Sequence, residues 1–176
     1  MIETERLLLR PAVLDDFEAS AAMFADPTVT THIGGTPLER EVAWTRFLRD
    51  AGHWSLYGFG LFTIIEKASG GYVGKIGFAH FQRDLARQVG NGVEMSWTLA
   101  SGFHGFGYAT EAGRAAQAWF DARHPMRTAC LIAPANHASL KLASRLGYEP
   151  IASQQAEDDA APNPKSLVFI RDIRPS

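Results

Sequence analysis

The sequence is poor in cysteine, in net charge and in long apolar runs, and each shortage excludes a class of protein. Its one cysteine, Cys130, cannot form a disulfide within the chain, which suits a reducing compartment. A formal net charge of −2 provides no broad basic surface, so nucleic acid is not expected as a partner. No segment reaches the roughly 18 apolar residues of a membrane span, and the first residues lack the apolar core of a signal peptide. We therefore expect a cytoplasmic protein with no membrane partner.

Metal binding and covalent thiol chemistry also find no support in the sequence. The six histidines do not have the spacing of metal ligands, so no metal site is expected. Cys130 lies in an apolar run typical of a strand, and we expect it to be a core residue rather than an acylated nucleophile. What is present is a chain of 176 residues, 46% of them hydrophobic and 20% charged. This length and composition predict one globular domain covering residues 1–176.

Alternating and helical runs of apolar residues predict an α/β (α+β) fold. An antiparallel meander comes first and one β-α-β passage follows, so we expect a mixed, mostly antiparallel sheet flanked by helices. The segment 154–165 is acidic, contains proline and is expected to be a linker. The expected strands are residues 6–10, 58–66, 72–81, 92–100, 128–133, 148–153 and 166–173, and the expected helices are residues 15–26, 38–51, 108–123 and 137–146.

The stretch SGFHGFGYATEAG, residues 101–113, places Gly102, Gly105 and Gly107 directly before a predicted helix. Glycine loses more backbone entropy on folding than any other residue. Three glycines before a helix therefore indicate a site where backbone N–H groups must be accessible, without side chains that cover them. A strand, a glycine turn and a helix N-terminus together form an anion cradle of free N–H groups and a positive helix end. A tight turn without a ligand is the alternative. The stretch lacks the lysine of a Walker loop and the third glycine of a dinucleotide fingerprint, which weakens both nucleotide interpretations.

A second set of motifs narrows the choice of ligand. NHAS (residues 136–139) is followed by LGY (146–148), and TERL (4–7), RP (10–11) and the run 105–111 precede them. In this order the motifs resemble the GNAT superfamily of acyl-CoA-dependent N-acetyltransferases, and within it the RimJ/RimL-type branch. The resemblance covers nearly the whole chain. It implies the GNAT fold, in which two central strands splay apart to admit the pantetheine arm of coenzyme A.

The resemblance implies acetyl-CoA as cosubstrate, bound mainly by backbone groups. In that family the loop amides bind the coenzyme A pyrophosphate, and the preceding strand orients the acetyl carbonyl and the pantetheine. Gly102 stands where many members have Arg or Gln, so one side-chain phosphate contact is missing and the backbone must bind more of the group. Carried over by position, the expected coenzyme-binding residues are Trp97, Thr98, Leu99, Phe103, His104, Gly105, Phe106, Gly107, Tyr108, Ala109, Thr110, Asn136 and Ser139.

Amine acetylation needs a neutral amine, a polarised thioester carbonyl and a proton for the departing thiolate. Glu94, on the polar face of the strand before the loop, is the candidate base, and the resemblance implies that it acts through water. Ser139 takes the place near the sulfur that RimL-type enzymes use, whereas Ala143 stands where many members have a tyrosine. Because a thiol has a pKa of about 8.5, its thiolate is a weakly basic leaving group, and a weak acid such as serine is sufficient to assist its departure. The alternatives are a Glu94 carboxylate without a role and an Asn136 that only caps the next helix.

The acceptor is expected to be a primary amine, either a peptide N-terminus or a small molecule, acetylated by direct transfer in a ternary complex. Its pocket would involve the first helices, residues 53–60 and the segment 154–165, although aromatic packing explains residues 53–57 equally well. The acidic residues 157–159 either favour cationic acceptors or are simply solvated. Lys141 and Arg145, one helical turn apart, either reach the coenzyme's 3′-phosphate or form a solvated face.

Two other functions remain open at this point. A non-catalytic acyl-CoA-binding or sensing domain would keep the anion cradle without turnover, and Gly102 and Ala143 are compatible with it. A nucleotide-binding protein of another kind is the more distant alternative. The sequence also leaves open whether the chain forms a homodimer.

Overall fold

The computed structural model describes residues 1–83, 92–151 and 166–173, and the strands within these ranges belong to one sheet. The strands are β1 (Ile2–Glu3), β2 (Leu7–Arg10), β3 (Leu61–Glu66), β4 (Tyr72–His80), β5 (Val93–Leu99), β6 (Thr128–Ile132), β7 (Glu149–Pro150) and β8 (Leu167–Arg171). The helices are α1 (Phe17–Ala25), α2 (Pro27–Thr30), α3 (Arg40–Tyr57), α4 (Tyr108–Asp121) and α5 (His137–Arg145), with 3-10 turns at Leu14–Asp16 and Ser101–Phe103. None of these helices is long and apolar enough to cross a membrane.

The sheet has a break at its centre. β1 to β5 form an antiparallel meander, β6 pairs parallel with β5 after the α4 crossover, and β8 lies antiparallel between β6 and β7. β5 and β6 are aligned at a single pair, Glu94 with Ala129, whereas β4 and β5 are aligned from His80 and Val93 to Gly74 and Leu99. The two central strands therefore separate beyond Glu94. This confirms the expected mixed, mostly antiparallel sheet with splayed central strands.

Different helices cover the two faces of the sheet. α4 packs on the face that carries Phe78, whose ring stacks on Phe120 with the centroids 4.0 Å apart. α1 and α3 cover the other face, where the Lys75 ammonium of β4 reaches Asp50 of α3. Because side chains alternate along a strand, the β5 register divides the central residues between these faces. Glu94, Ser96 and Thr98 share the α1–α3 face with Lys75, and Met95, Trp97 and Leu99 share the α4 face with Phe78.

Helix α3 is longer than expected and β3 is shorter. The helix continues through residues 52–57 and ends at Gly58, which has a left-handed φ of 72°. Trp54 packs back onto the following chain, its Nε1 donating to the Leu61 carbonyl at 2.9 Å. A Cβ at Gly60 would lie 2.6 Å from the Trp54 ring, so this close approach requires glycine. The aromatic residues that led us to expect a strand from residue 58 therefore pack against the end of helix α3, and the strand begins only at Leu61.

Two smaller differences occur at the ends of elements. Of the strand expected over residues 148–153, Glu149–Pro150 pairs with β8, and the Ile151 N–H donates to the Val168 carbonyl at 3.0 Å; residues 152 and 153 lie outside the described residues. The short helix α2 was not expected; Asp26 caps it, its carboxylate accepting from the Thr28 N–H at 2.8 Å. The segment 154–165 lies outside the described residues.

Candidate active site

A cleft of about 1170 Å³ occupies the gap where β5 and β6 separate. Both splayed strands line it, together with the glycine-rich loop before α4 and the first turns of α5. Residues of α1, α2 and α3 line it as well, among them Phe24, Val29 and Arg46. Since these two groups of elements cover opposite faces of the sheet, the cleft connects the two faces through the break.

Two of the three loop glycines have backbone conformations that other residues avoid. Gly105 has a φ of 85° and Gly107 a φ of 81°, both in the left-handed region. Gly102 lies in a 3-10 turn without a positive φ, and a Cβ there would meet no atom within 4 Å. Conformation therefore requires glycine at positions 105 and 107, but not at position 102.

The loop presents backbone donors at the start of α4. The N–H groups of Thr110 and Glu111 both donate to the Gly107 carbonyl at 3.1 Å. Within the described residues, the N–H groups of residues 105–109 have no acceptor. They lie at the positive end of a helix of 14 residues, which is the arrangement that binds phosphate in many proteins. The structure thus has the free N–H groups and the helix N-terminus that an anion cradle requires.

The N-terminal TERL motif holds this loop in place. The Glu111 carboxylate accepts hydrogen bonds from the Thr4 hydroxyl at 2.6 Å and from the Arg6 N–H at 2.9 Å. The Arg6 guanidinium binds the same carboxylate at 2.6 Å and donates to the Phe106 carbonyl at 3.0 Å. The start of the chain therefore fixes both the loop and the first turn of α4.

Ser139 lies in the first turn of α5 and contacts β5. The Trp97 Nε1 donates to the Ser139 hydroxyl oxygen at 3.0 Å. The Asn136 side chain accepts from the Ser139 N–H at 3.0 Å, so Asn136 caps α5, as one of the two sequence interpretations has it. Because the Ser139 oxygen already accepts the indole hydrogen, its own O–H is left to donate into the cleft.

Glu94 is a buried carboxylate, only 2% exposed. Its Oε2 accepts from the Arg83 Nη1 at 2.9 Å, whereas its Oε1 has no hydrogen-bond partner among the described residues. Burial raises the pKa of the Glu94 carboxyl, and the Arg83 guanidinium opposes that rise. A buried, half-partnered carboxylate at a cleft is costly, and such groups are concentrated at functional sites.

Three further residues considered in the sequence line the same cleft. Cys130 is 1% exposed, and burial raises the pKa of its thiol far above the ordinary value, so it is a protonated core residue. Lys141 and Arg145 both line the cleft from α5. Among the described residues, no group of three or more His, Cys, Asp or Glu side chains is placed to hold a metal ion.

Residues 53–60, expected to form part of the acceptor pocket, are not among the residues that line this cleft. His53 is buried; its Nδ1 lies 2.7 Å from the Phe59 carbonyl, and its Nε2 accepts from the His80 N–H at 2.9 Å. Burial lowers the pKa of His53, which fits a neutral ring with the proton on Nδ1. The alternative of aromatic packing describes this segment correctly.

Basic side chains on the α1–α3 face of the cleft were not anticipated from the sequence. They are Arg46 and Arg49 of α3, Lys75 of β4 and Arg83 after β4. The only local signal was Lys75, a lysine in the middle of an otherwise apolar strand. Arginines on an amphipathic helix are normally solvated, so nothing in the local pattern of α3 indicates a cleft.

Comparison with known protein families identifies the family to which the chain belongs. A family model described as the acetyltransferase (GNAT) domain matches residues 6–149. This chain therefore belongs to the GNAT family of acetyltransferases. The resemblance seen in the sequence is confirmed at the level of the family, and the chain is an acetyltransferase enzyme.

Solved structures and curated relatives agree with this assignment. The chain is similar to the acetyltransferase from Agrobacterium tumefaciens str. C58, with 29% identity and a TM-score of 0.80 over 98% of this chain and 94% of that one. A Bordetella pertussis protein assigned to the GnaT acetyltransferases is 32% identical, with a TM-score of 0.80 over 97% and 98%. A Bacillus licheniformis protein named N-acetyltransferase p20, itself uncharacterised, is 27% identical over 148 residues, 83% of this chain and 80% of the relative.

A more distant structure contains the coenzyme. Phosphinothricin acetyltransferase (Pat) from Sinorhizobium meliloti, in complex with AcCoA, is 17% identical to this chain, with a TM-score of 0.70 over 94% of this chain and 88% of that one. At this identity the likeness shows the shared fold alone.

Proposed function

We propose that this acetyltransferase transfers the acetyl group of acetyl-CoA to a primary amine, by direct transfer in a ternary complex. The observation that carries the proposal is the cleft through the break in the sheet. The glycine loop and Ser139 line it on the α4–α5 side, and the buried Glu94 carboxylate lines it on the α1–α3 side. We further propose that residues 1–176 form one GNAT domain of the RimJ/RimL type.

The proposed coenzyme site is built mainly from backbone. The free N–H groups of residues 105–109 would bind the pyrophosphate, and Lys141 and Arg145 of α5 add positive charge on the same side. Beyond Glu94, β5 has no aligned partner on the β6 side, so the backbone of Trp97–Leu99 is free to bind pantetheine and the acetyl carbonyl. The use of acetyl-CoA by the GNAT family supports this assignment.

The proposed chemistry divides between the two faces of the sheet. Acetyl-CoA supplies a thioester whose carbonyl carbon is attacked by the amine nitrogen, so that a C–N bond forms and the C–S bond breaks. Glu94, through a water molecule, takes the proton that the amine loses, and the raised pKa of its carboxyl suits a base. The Ser139 O–H, oriented by Trp97, donates toward the sulfur as it becomes a thiolate.

The proposed acid–base groups, Glu94 acting through water and the Ser139 hydroxyl, favour an α-amine over a lysine side chain as the acceptor. At pH 7 about a tenth of an α-amine of pKa near 8 is neutral, but well under a thousandth of a lysine of pKa about 10.4. One carboxylate acting through water is better matched to the smaller deprotonation cost. A competition between two peptides tests the preference, one with a free N-terminus and a blocked lysine, the other reversed. Faster acetylation of the lysine peptide would contradict it.

A turnover assay separates this function from a non-catalytic acyl-CoA-binding or sensing domain. The purified protein is mixed with acetyl-CoA and a panel of peptides and small amines, and the release of free thiol is followed while mass spectrometry identifies the acetylated amine. We expect amine-dependent thiol release. Tight coenzyme binding by calorimetry without transfer to any amine would support the binding domain instead.

A further inference from the structure

The α1–α3 side of the cleft is rich in positive charge. The cleft is lined there by four cationic side chains: Arg46 and Arg49 of α3, Lys75 of β4, and Arg83, which follows β4. Since Glu94 lies on the same face, this is the side from which an acceptor amine would reach the proposed base.

Three of these four cations have a carboxylate partner. The Lys75 ammonium lies 2.5 Å from Asp50 Oδ2, and the Arg49 guanidinium lies 2.9 Å from Asp50 Oδ1. The Arg83 guanidinium lies 2.9 Å from Glu94 Oε2. The carboxylates of this region are thereby occupied by cations that lie next to them.

Arg46 is the exception, since it makes no hydrogen bond or ion pair with the described residues. Its guanidinium lies over the ring of Phe24, 5.6 Å from the centroid, and the side chain is partly buried. Burial lowers the pKa of Arg46, as do the neighbouring cations Arg49 and Arg83, whereas the Asp50 carboxylate opposes the shift. A partly buried cation among other cations is costly unless an anion binds it.

The surroundings of Arg46 would strengthen such an ion pair. Apolar side chains form part of the lining of the same cleft, and a charge pair beside them is worth more than one fully exposed to water. A guanidinium also binds carboxylate and phosphate groups with two parallel hydrogen bonds. The apolar residues are Phe24, Val29, Ile33 and Phe81.

We infer that the acceptor amine carries an anionic group, a carboxylate or a phosphonate, which binds the Arg46 guanidinium while the amine faces Glu94. This inference rests on the proposed function and narrows its substrate class. It differs from one of the two interpretations of the acidic residues 157–159, that they favour a cationic acceptor; those residues lie outside the described part of the chain.

The test compares acids with their neutral amides. α-, β- and γ-amino acids, the matching aminoalkylphosphonates and the corresponding amino-acid amides are assayed with the wild type and with Arg46→Met. For the best acid we expect KM to rise about 10- to 100-fold in Arg46→Met with kcat little changed, and we expect no change for its amide. Arg46→Lys should recover part of the loss. Arg114→Met, which removes an exposed arginine of α4 outside the cleft, is the matched control.

Binding measurements keep the inference separate from the proposed function. Calorimetry on the protein with coenzyme A measures the affinity for each acid and amide without any turnover. Acids that bind more tightly than amides, and only when Arg46 is present, support the inference even if no amine is acetylated, which would contradict the function alone. Equal affinity for acids and amides, or acid binding unchanged in Arg46→Met, would overturn the inference.

Discussion

At the scale of single residues, the burial of Glu94 opposes stability, while the role proposed for it is catalytic. Its carboxylate is buried, one oxygen lacks a partner among the described residues, and burial raises its pKa despite the contact with Arg83. The folded protein therefore binds this proton more tightly than the unfolded chain does. Protonation of Glu94 therefore stabilises the folded state. This stabilisation is fully present below the pKa that Glu94 has in the unfolded chain, and it is lost as the pH rises through the higher pKa that Glu94 has in the folded protein. Ionised Glu94 thus destabilises the fold near neutral pH.

Replacing Glu94 with Gln should slow catalysis and stabilise the fold. A lost general base costs about 100-fold or more in kcat. Near neutral pH the variant should have the higher Tm, by about 2–4 °C for each kcal/mol of burial cost removed. The difference should shrink as the pH falls through the raised pKa of the folded protein, and it should be smallest below the ordinary glutamate pKa of about 4.3, where the carboxyl is neutral in both the folded and the unfolded state. Thermal unfolding against pH and steady-state kinetics measure the two effects.

The pH profile and a matched variant complete this test. In the wild type the acid limb of kcat should lie above the ordinary glutamate pKa, and the limb should be missing in Glu94→Gln. Glu149→Gln, which changes an exposed carboxylate outside the cleft, should alter neither kcat nor Tm. An unchanged kcat in Glu94→Gln would remove Glu94 from the chemistry.

Ser139→Ala should lower kcat while leaving the affinity for acetyl-CoA nearly unchanged. The O–H interaction with sulfur strengthens as the thiolate forms, so its loss affects the transition state more than the bound substrate. We expect a decrease of about tenfold, below the usual range for a general acid because the thiolate is weakly basic. Ser144→Ala, on the exposed side of α5, is the control. A weaker affinity with kcat intact would make Ser139 a binding contact only.

At the scale of elements, the glycine loop and the start of α4 form one structural unit, the proposed anion site. The loop glycines differ in what they do: two provide left-handed backbone, and the third lies where a side chain would fit. The carboxylate of Glu111 ties the unit to the N-terminal strand through Thr4 and Arg6. Changes in this unit should therefore act on coenzyme binding, not on the chemical step.

Gly107→Val should weaken coenzyme A binding by at least tenfold in a protein that still folds. A β-branched residue at φ 81° is strained by about 1–2 kcal/mol, and its side chain would cover the N–H groups that face a phosphate. Gly70→Val introduces the same kind of strain at φ 70°, in open space at the turn between β3 and β4. The control should lose stability but keep its coenzyme affinity by calorimetry. Equal affinity in a folded Gly107→Val protein would refute the cradle.

Gly102→Arg should strengthen coenzyme A binding. Position 102 has no positive φ and no atom within 4 Å of an added Cβ, so the fold tolerates the side chain. A guanidinium there would supply the phosphate contact that glycine leaves out, and we expect about a 3- to 10-fold lower Kd at low salt. The gain should diminish as ionic strength rises. An unchanged Kd at low salt would show that the loop directs this position away from the phosphates.

At the scale of the whole molecule, the sheet has its fewest aligned residue pairs between β5 and β6, the strands that border the cleft. β5 and β6 are aligned at one residue pair, so the two parts of the sheet are held together there mainly by the packing of α4 and the connections around it. A ligand that binds along both strands should therefore stabilise the whole domain, because it binds the folded state alone.

Coenzyme A at 100 times its Kd should stabilise the wild type by about 2.7 kcal/mol. For a chain of this length that is a rise in Tm of roughly 5–10 °C, measured by scanning calorimetry. Gly107→Val at the same coenzyme concentration should show a distinctly smaller rise. No change in the wild-type Tm at saturating coenzyme would contradict binding in the cleft.

Much of the fold was determined by the sequence itself. The meander and the β-α-β passage follow from periodicity and turn residues, and the structure has them in that order. The assignment of Glu94 and Trp97 to opposite faces of β5 also needed only the local sequence, because successive side chains on a strand point to opposite faces of the sheet. The glycines at 105 and 107 could be recognised because a left-handed backbone leaves glycine as the favoured residue.

Only the tertiary structure decided which side chains meet at the cleft. Glu94 binds Arg83 across 11 positions, Lys75 binds Asp50 across 25, and Trp97 binds Ser139 across 42. Local periodicity reports which residues share a face, but it does not report which elements pack together or which charges lose water. The burial of Glu94 and the basic side of the cleft therefore arise from helices α1 to α3 folding over the sheet, because burial and charge pairing depend on neighbours distant in the chain.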